Sequence, residues 1–303
     1  MSDIAIIGAG KAASSLANAL MKKNENIACI VSRSRKSARE LSGKFGIRHY
    51  SDSLAEIPKW VHLIFIAVPD RSILRIAEEL AMLNLDFEDT LFCHLSGSQN
   101  ISLLQPLNEK GALTASLHIM QSFPSRNFVE LRGAYAAVES DSTEAQEALF
   151  KLAEKMEMRP FLIGSQDKIF YHIAGVFASN FLIANLYHAQ QAFNKSRIEG
   201  VDFFSLIKPI VKSTLEHADK DGVIRALSGP VERNEVEIVK NHLSVLKKAS
   251  EENNEMGNIY LNYICQSLSL LEIAKIKNPS EHVSYDKLRD LLISKLKEAV
   301  GKV

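Results

Sequence analysis

Cysteine is scarce, with only Cys29, Cys93 and Cys265 in 303 residues and no Cys-x-x-Cys pair among them. This excludes a disulfide framework and a thiolate zinc site, and the three are expected to be small buried hydrophobes in a reducing compartment. An excess of charge of either sign is also lacking: 36 basic and 36 acidic residues leave a formal net charge of zero. A dedicated nucleic-acid binder would carry a basic surplus or stripe, so no nucleic-acid partner is expected. The nine histidines are scattered, with no His-x-x-x-His spacing or carboxylate pairing, and no metal is expected. A basic leader with a cleavage site is absent as well, which points to a cytoplasmic protein. The longest apolar run, "IFYHIAGVFASNFLIANLYHA", is broken by His172, Asn180, Asn185 and His188. Lipid tolerates such residues poorly, so the run reads as a buried helix at the centre of a helical domain or in an oligomer interface, with no membrane partner.

What is present is a change of texture part-way along the chain. At about 150 residues per domain, this length suggests two domains. Up to Gly164, short apolar runs (4–7, 27–31, 61–68, 90–95 and 113–117) alternate with amphipathic stretches. Two further runs, "GAYAAVES" and "MRPFLIG", extend the series. Continuous apolar strands between amphipathic helices imply a parallel sheet covered on both faces. Beyond Gly164 only long helical patterns remain. The expected fold is a doubly wound α/β Rossmann domain, residues 1–164, followed by an all-α C-terminal domain, residues 165–303.

The stretch "IAIIGAGKAASS" places Gly8 and Gly10 where a strand turns into a helix. In a dinucleotide fingerprint the first glycine allows the tight turn and the second lets backbone approach a pyrophosphate. Lys11, Ala12 and Ala13 open the helix whose free N–H groups face that anion, and Ala13 is the accepted substitute for a third glycine. The second strand ends in Ser32, Arg33 and Ser34, followed by Arg35 and Lys36, with no carboxylate for a ribose 2′-hydroxyl. Cations are disfavoured at a helix N-terminus unless an anion joins them, so the cofactor is expected to be NADP(H). Val68 and Pro69 at one strand end, and Ser96 and Gly97 at the next, are placed to border the ribose and nicotinamide.

Seven segments taken together, "GAGKAA", "SRS", "AVPD", "HLSGS", "LHIMQSF", "YHIAGVFASNF" and "ALSGPVERNE", resemble the 6-phosphogluconate-dehydrogenase-like superfamily over nearly the whole length. More narrowly, the chain is similar to uncharacterised Rossmann-like NADP oxidoreductases with a C-terminal helical domain of unknown function. It is distantly similar to pyrroline-5-carboxylate reductases. Where relatives commonly have His-Pro this chain has His118-Ile119, and where they often have Arg-Gly-Asp it has Arg233-Asn234-Glu235. The resemblance implies a redox fold and its cofactor without a substrate. The helical stretches 168–194 and 260–276 carry more apolar surface than a helical half of this size readily buries alone, so a homodimer built mainly through the helical domain is expected, as related families form.

Reduction of a C=O or C=N bond needs a proton donor near the developing charge and often a cation for a carboxylate. Candidates for the chemistry are His118 at a strand end, and Lys168, His172 and Asn180 along one helical stripe. Ser179, Arg225, Gly229, Pro230 and Arg233 are candidates for substrate binding. The expected function is NADP(H)-dependent oxidoreduction of a small, anionic carbonyl or imine. The alternative is a non-catalytic NADP(H)-binding sensor or scaffold.

Overall fold

The computed structural model describes residues 3–252 and 254–301. Its first part holds eight strands: β1 (Ile4–Ile7), β2 (Ile27–Val31), β3 (His49–Ser51), β4 (Leu63–Ile66), β5 (Leu91–His94), β6 (Leu113–Ile119), β7 (Tyr135–Glu139) and β8 (Arg159–Leu162). They form one sheet in the order β3-β2-β1-β4-β5-β6-β7-β8. Pairing is parallel from β3 through to β6. β7 then runs antiparallel to β6, with His118 opposite Ala137, and β8 is parallel to β7.

Every residue of β1, β2, β4 and β5 is buried. Side chains alternate between the two faces of a strand, so each face needs its own cover. On one face Ile4, Ile6 and Phe65 pack with residues of α1 (Lys11–Lys22), α2 (Arg35–Phe45) and α5 (Thr143–Lys155). On the other, Ala5, Ile7, Ile64 and Ile66 pack with α3 (Ile73–Ala81) and Leu107 of α4 (Gln105–Asn108). The winding reverses between β1 and β4, the point where a doubly wound sheet opens a crevice at its carboxyl edge.

A continuous helix follows β8. It comprises α6 (Lys168–Gly175), a π-helical turn (Val176–Phe181) and α7 (Leu182–Lys195). The expectation that this apolar run is buried at the centre of a helical domain is overturned: of residues 168–195 only Lys168 is buried. Its composition is apolar nearly all round, yet in a single chain its other side chains are exposed or only half-buried, so the helix is left without the cover such a composition calls for. By length and composition it is also apolar enough to cross a membrane.

The chain divides into two compact units between Ile183 and Ala184, so α6 and the π turn belong with the sheet. The second unit contains α7 together with α8 (Phe203–Asp221), α9 (Val223–Ala226), α10 (Val236–Glu252), α11 (Asn254–Lys277) and α12 (Asp286–Val300). Its core gathers Val239 and Leu243 of α10, Ile264 and Leu271 of α11, and Leu288 and Leu292 of α12. Cys29 and Cys93 are buried as expected, whereas Cys265, on α11, is exposed.

Candidate functional site

The two glycines of the first turn are required for different reasons. Gly8 has φ +122°, and a Cβ there would lie 2.2 Å from the carbonyl oxygen of Ala67, backbone that cannot yield. Gly8 is therefore fixed by the protein itself, through the close approach of the β1 and β4 ends. Around Gly10 a Cβ would meet nothing within 4 Å. Its open space lies directly before α1, which has no acidic residue in its first turn and no side-chain cap. The N–H groups of Lys11, Ala12 and Ala13 precede the first internal bond, from Ser14 N–H to the Gly10 carbonyl. Open space ahead of free helix amides is a cradle for an anion such as a pyrophosphate. Ala13 is fully buried, as its packing role demands.

At the β2 end, Ser34 caps α2 by accepting from the Ser37 N–H at 3.3 Å. Arg35 pairs with Asp52 at 3.4 Å and lies over the Tyr50 ring. Arg33 is exposed and has no ion pair or hydrogen bond among the described residues. Ser32 donates its N–H to the Ser51 carbonyl of β3 at 3.0 Å. One guanidinium in "SRSR" is thus engaged with the protein and the other projects freely.

The β4 and β5 ends are tied to each other. Val68 and Pro69 lead into Asp70, whose carboxylate accepts from the Ser98 hydroxyl at 2.9 Å. The loop from Ser96 to Asn100 is shaped from beneath by His94, which is fully buried. Its Nδ1 accepts from the Ser96 N–H at 3.2 Å while Nε2 faces the Asn100 carbonyl at 3.3 Å, the arrangement of a neutral ring with its proton on Nε2. Burial, with the Lys168 charge adding to it, pushes the His94 pKa down to about 4. The Ser96 hydroxyl in turn accepts from the N–H groups of Ser98 and Gln99.

His118 closes the row on β6. Its Nδ1 is 2.9 Å from the Tyr171 hydroxyl, and its ring meets both Tyr171 and His172 edge-on. Burial, then the neighbouring His172 and Lys168, lower its pKa to about 4. Burial raises the Tyr171 phenol to about 12. Both partners are therefore uncharged at neutral pH. Sequence reasoning passed over Tyr171, although its place beside His172, three residues after Lys168, puts it on the same helical face.

That face runs along β6. Lys168 reaches Ser116, Tyr171 meets His118, and the Gly175 backbone packs on Met120, whose Sδ would lie 3.0 Å from a Cβ at that glycine. Four helical residues advance about 6 Å, close to the roughly 6.6 Å of two strand residues. Each helical turn therefore finds the next outward-facing position of β6. One step further stands the π turn, an irregularity frequent at functional sites. It holds Ser179, half-buried, and Asn180, exposed.

Lys168 is not the exposed first-turn residue its position suggests. It is 1% exposed, and Nζ donates to the Gln99 carbonyl, to Ser116 Oγ at 2.8 Å and to Glu139 Oε2 at 2.8 Å. Three acceptors use the three protons of an ammonium group. Glu139 also accepts from the hydroxyls of Ser116 and Ser165 and from the Ile101 N–H. Burial alone would raise its carboxyl. The hydrogen bonds from Lys168 and Ser165 outweigh that effect and hold it below the ordinary carboxylate value.

The strand-end candidates thus share one edge of the sheet, from Gly8, Gly10 and Ser32 through Val68 and Ser96 to His118, with Lys168, His172, Ser179 and Asn180 on the helix beside it. Arg225, Gly229, Pro230 and Arg233 lie in the second unit. There Gly229 takes φ +122°, and Pro230 accepts from the Glu235 N–H. Arg233 is held by Glu235 in a two-pronged pair at 2.9 Å. Arg225 is exposed, with no such partner among the described residues. Cavity size does not mark the site. A cavity of about 550 Å³ in the first unit is lined by Ile4, Leu63, Leu91 and Leu113, at the amino ends of the strands.

Residues 2–119 match the family model of a Rossmann-like domain. Residues 134–264 match the model described as a domain of unknown function, DUF2520. The chain is a Rossmann-like protein with a C-terminal domain of the DUF2520 family. No curated protein matches the sequence. Among solved structures, BF3122 from Bacteroides fragilis, whose name carries a provisional NADP oxidoreductase assignment, is 24% identical with a TM-score of 0.76. That match covers 89% of this chain and 98% of the other. Protein TM1727 from Thermotoga maritima is 25% identical, with a TM-score of 0.66 over 91% and 99% of the two chains. A reductive aminase from Aspergillus terreus, solved with NADPH and ethyl levulinate, is 14% identical, with a TM-score of 0.62 over 86% and 90%. These likenesses establish the fold.

Proposed function

We propose that the protein is an NADP(H)-dependent oxidoreductase that reduces a small, anionic carbonyl or imine. The observation that carries this reading is the contrast between Gly8, which the protein's own backbone demands, and Gly10, whose open space before the α1 amides suits a bound pyrophosphate. Structural neighbours solved with NADPH, such as the Aspergillus terreus reductive aminase, support the choice of cofactor.

In this reading the α1 amides hold the pyrophosphate and Arg33 meets the 2′-phosphate. The loop from Ser96 to Ser98, with Val68 and Pro69, borders the nicotinamide ribose. The cofactor supplies a hydride; the protein supplies the proton. Tyr171 and His118 form the proton-supplying pair: the phenol donates to Nδ1, which leaves the ring's N–H on Nε2, beside Gly97 at the nicotinamide end of the site. A neutral pair is a weak acid, suited to the strongly basic oxygen that develops as hydride adds to a carbonyl; an imine would enter already protonated and leave a neutral amine. Asn180 gives a neutral hydrogen-bonding group to the reacting atom. The apolar side chains of the 168–195 helix meet a second copy of the chain, a use that tolerates its histidines and asparagines better than lipid does.

The test is calorimetric titration with NADPH and NADH, followed by a cofactor-oxidation screen over small carboxylic ketones, aldehydes and cyclic imines. Tight NADPH binding with turnover of one of these classes is expected. Absence of NADPH binding removes the reading. Binding without turnover across the screen favours a sensor.

A further inference from the structure

We infer that Lys168 and Glu139 are a buried positioning pair that fixes the Ser96–Ile101 loop in the shape the cofactor needs, without either residue exchanging a proton with substrate. The inference rests on reading that loop as the nicotinamide-side wall of the site. It departs from the expectation that Lys168 is catalytic.

A lysine that acts as an acid must present a proton to its substrate. Lys168 has none to spare: its three donors go to the Gln99 carbonyl, Ser116 and Glu139. With both side chains nearly inaccessible, 1% and 4% exposed, the pair is out of reach of a ligand. What it does is join five separate segments, its own two included. Gln99 and Ile101 belong to the loop after β5, Ser116 to β6, Glu139 to β7, Ser165 to the connection after β8, and Lys168 to α6. The pair grips the loop at two of its later backbone positions, the Gln99 carbonyl by Lys168 and the Ile101 N–H by Glu139 at 3.2 Å, on either side of the Asn100 carbonyl that His94 holds. Its earlier part stands against the His118 ring at Gly97 and against Asp70 through Ser98. Release of the Gln99 carbonyl would therefore move the segment between the β4 end and His118.

Burying an ion pair is a poor way to gain stability, since a neutral replacement of similar size is often as stable. Its value here is geometric, because a methionine at position 168 has no donor with which to hold the Gln99 carbonyl. That separates two consequences which a purely structural pair would keep together.

The experiment compares full-length wild type with Lys168→Met, the double variant Lys168→Met/Glu139→Gln, and Ser116→Ala. Thermal unfolding, NADPH affinity and amide hydrogen exchange at Ser96, Ser98, Gln99 and Ile101 are measured for each. Lys168→Met leaves an unpaired buried carboxylate and should unfold at lower temperature. The double variant removes that charge while the glutamine can still accept from Ile101 and Ser165, so its melting temperature should return close to wild type. Its four loop amides should nonetheless exchange at least tenfold faster, with NADPH affinity about tenfold weaker, the loss of one anchoring hydrogen bond. A double variant that recovers stability, loop protection and affinity together overturns the inference. If neither lysine variant folds, Ser116→Ala decides. It removes the hydroxyl shared by both partners and should speed loop exchange severalfold; unchanged protection overturns the inference. Should wild type bind no NADPH, the cofactor reading fails by itself, and the exchange comparison alone judges the positioning pair.

Discussion

The imidazole of His118 occupies the space that a side chain at residue 97 would need: its Nε2 lies 2.6 Å from the Cβ position of Gly97, and two further ring atoms lie within 2.8 Å. The glycine of "HLSGS" therefore serves the histidine of the neighbouring strand. Gly97→Ala should displace the ring and break its 2.9 Å contact with Tyr171. If these residues supply the proton, turnover should fall about 100-fold, the scale of a lost general acid. NADPH affinity should change far less. Single-turnover kinetics would read the chemical step, and an unimpaired step would remove His118 from it.

The glycine turn gives a paired prediction. Gly8→Ala forces a Cβ onto the Ala67 carbonyl and should prevent stable folding. Gly10→Ala meets no protein atom and should leave the melting temperature within a few degrees of wild type. Its methyl group would intrude on the pyrophosphate, so NADPH affinity should drop by at least tenfold. Differential scanning fluorimetry with and without NADPH reads both effects. A Gly10→Ala variant with wild-type affinity would mean that no dinucleotide lies there.

Cofactor choice turns on one side chain. Arg35 is already engaged with Asp52 and Tyr50, which leaves Arg33 for a 2′-phosphate. Loss of one charge-assisted contact costs about 1.5–3 kcal/mol, a factor of roughly 10–100. Arg33→Ala should weaken NADPH by that factor and leave NADH nearly unchanged. Tighter binding of NADH than of NADPH to wild type, measured by calorimetry, would refute the assignment.

Much of this site was legible because it depends on local rules. Gly8 and Gly10 between a strand and a helix, Ser-Arg-Ser with no carboxylate, and polar residues at apolar strand ends all carry their meaning within a few positions. The sheet was legible too, except where pairing is settled at long range. Three-residue β3 is too short to show a period, and the antiparallel turn from β6 to β7 leaves no trace in an apolar run. Lys168 shows the same limit. A lysine in a first helical turn ordinarily faces water, and nothing in its neighbours announces that Glu139, 29 residues earlier, waits inside. Tyr171 was hidden by a different cause, since a tyrosine among apolar helix residues looks like packing until a histidine stands opposite.

The buried histidines set an acid limit on stability. Burial lowers the His94 pKa from 6.5 to about 4. The unfolded chain therefore binds a proton in that window that the folded chain refuses. The contribution is fully present above pH 6.5 and is lost as pH falls towards 4. For His94 this amounts to about 2 kcal/mol between pH 7 and pH 5, with a smaller addition of the same sign from the less enclosed His118. The Glu139 carboxyl, held below its ordinary value, adds its own loss only at lower pH. Urea unfolding at pH 7, 6 and 5 should show stability declining with proton uptake on unfolding. Constant stability over that range would contradict the neutral, buried state of both rings.

The long helix of residues 168–195 leaves large apolar side chains in water. Phe170 is 75% exposed, Phe177 63% and Ile183 64%, and on α8 Ile210 is 67% exposed. A folded monomer rarely leaves so much large apolar surface in water, because each such side chain forgoes about 1.5–3 kcal/mol of burial. A second copy of the chain is the partner we expect, as a homodimer built through these helices. Light scattering at micromolar concentration should give about twice the 33.7 kDa chain mass. Phe177→Asp or Ile183→Asp should shift the population towards monomer without melting the sheet domain, since neither side chain belongs to its core. A monodisperse wild-type monomer would reject the interface. Recovery of the wild type only from detergent extracts would reassign the helix to a bilayer.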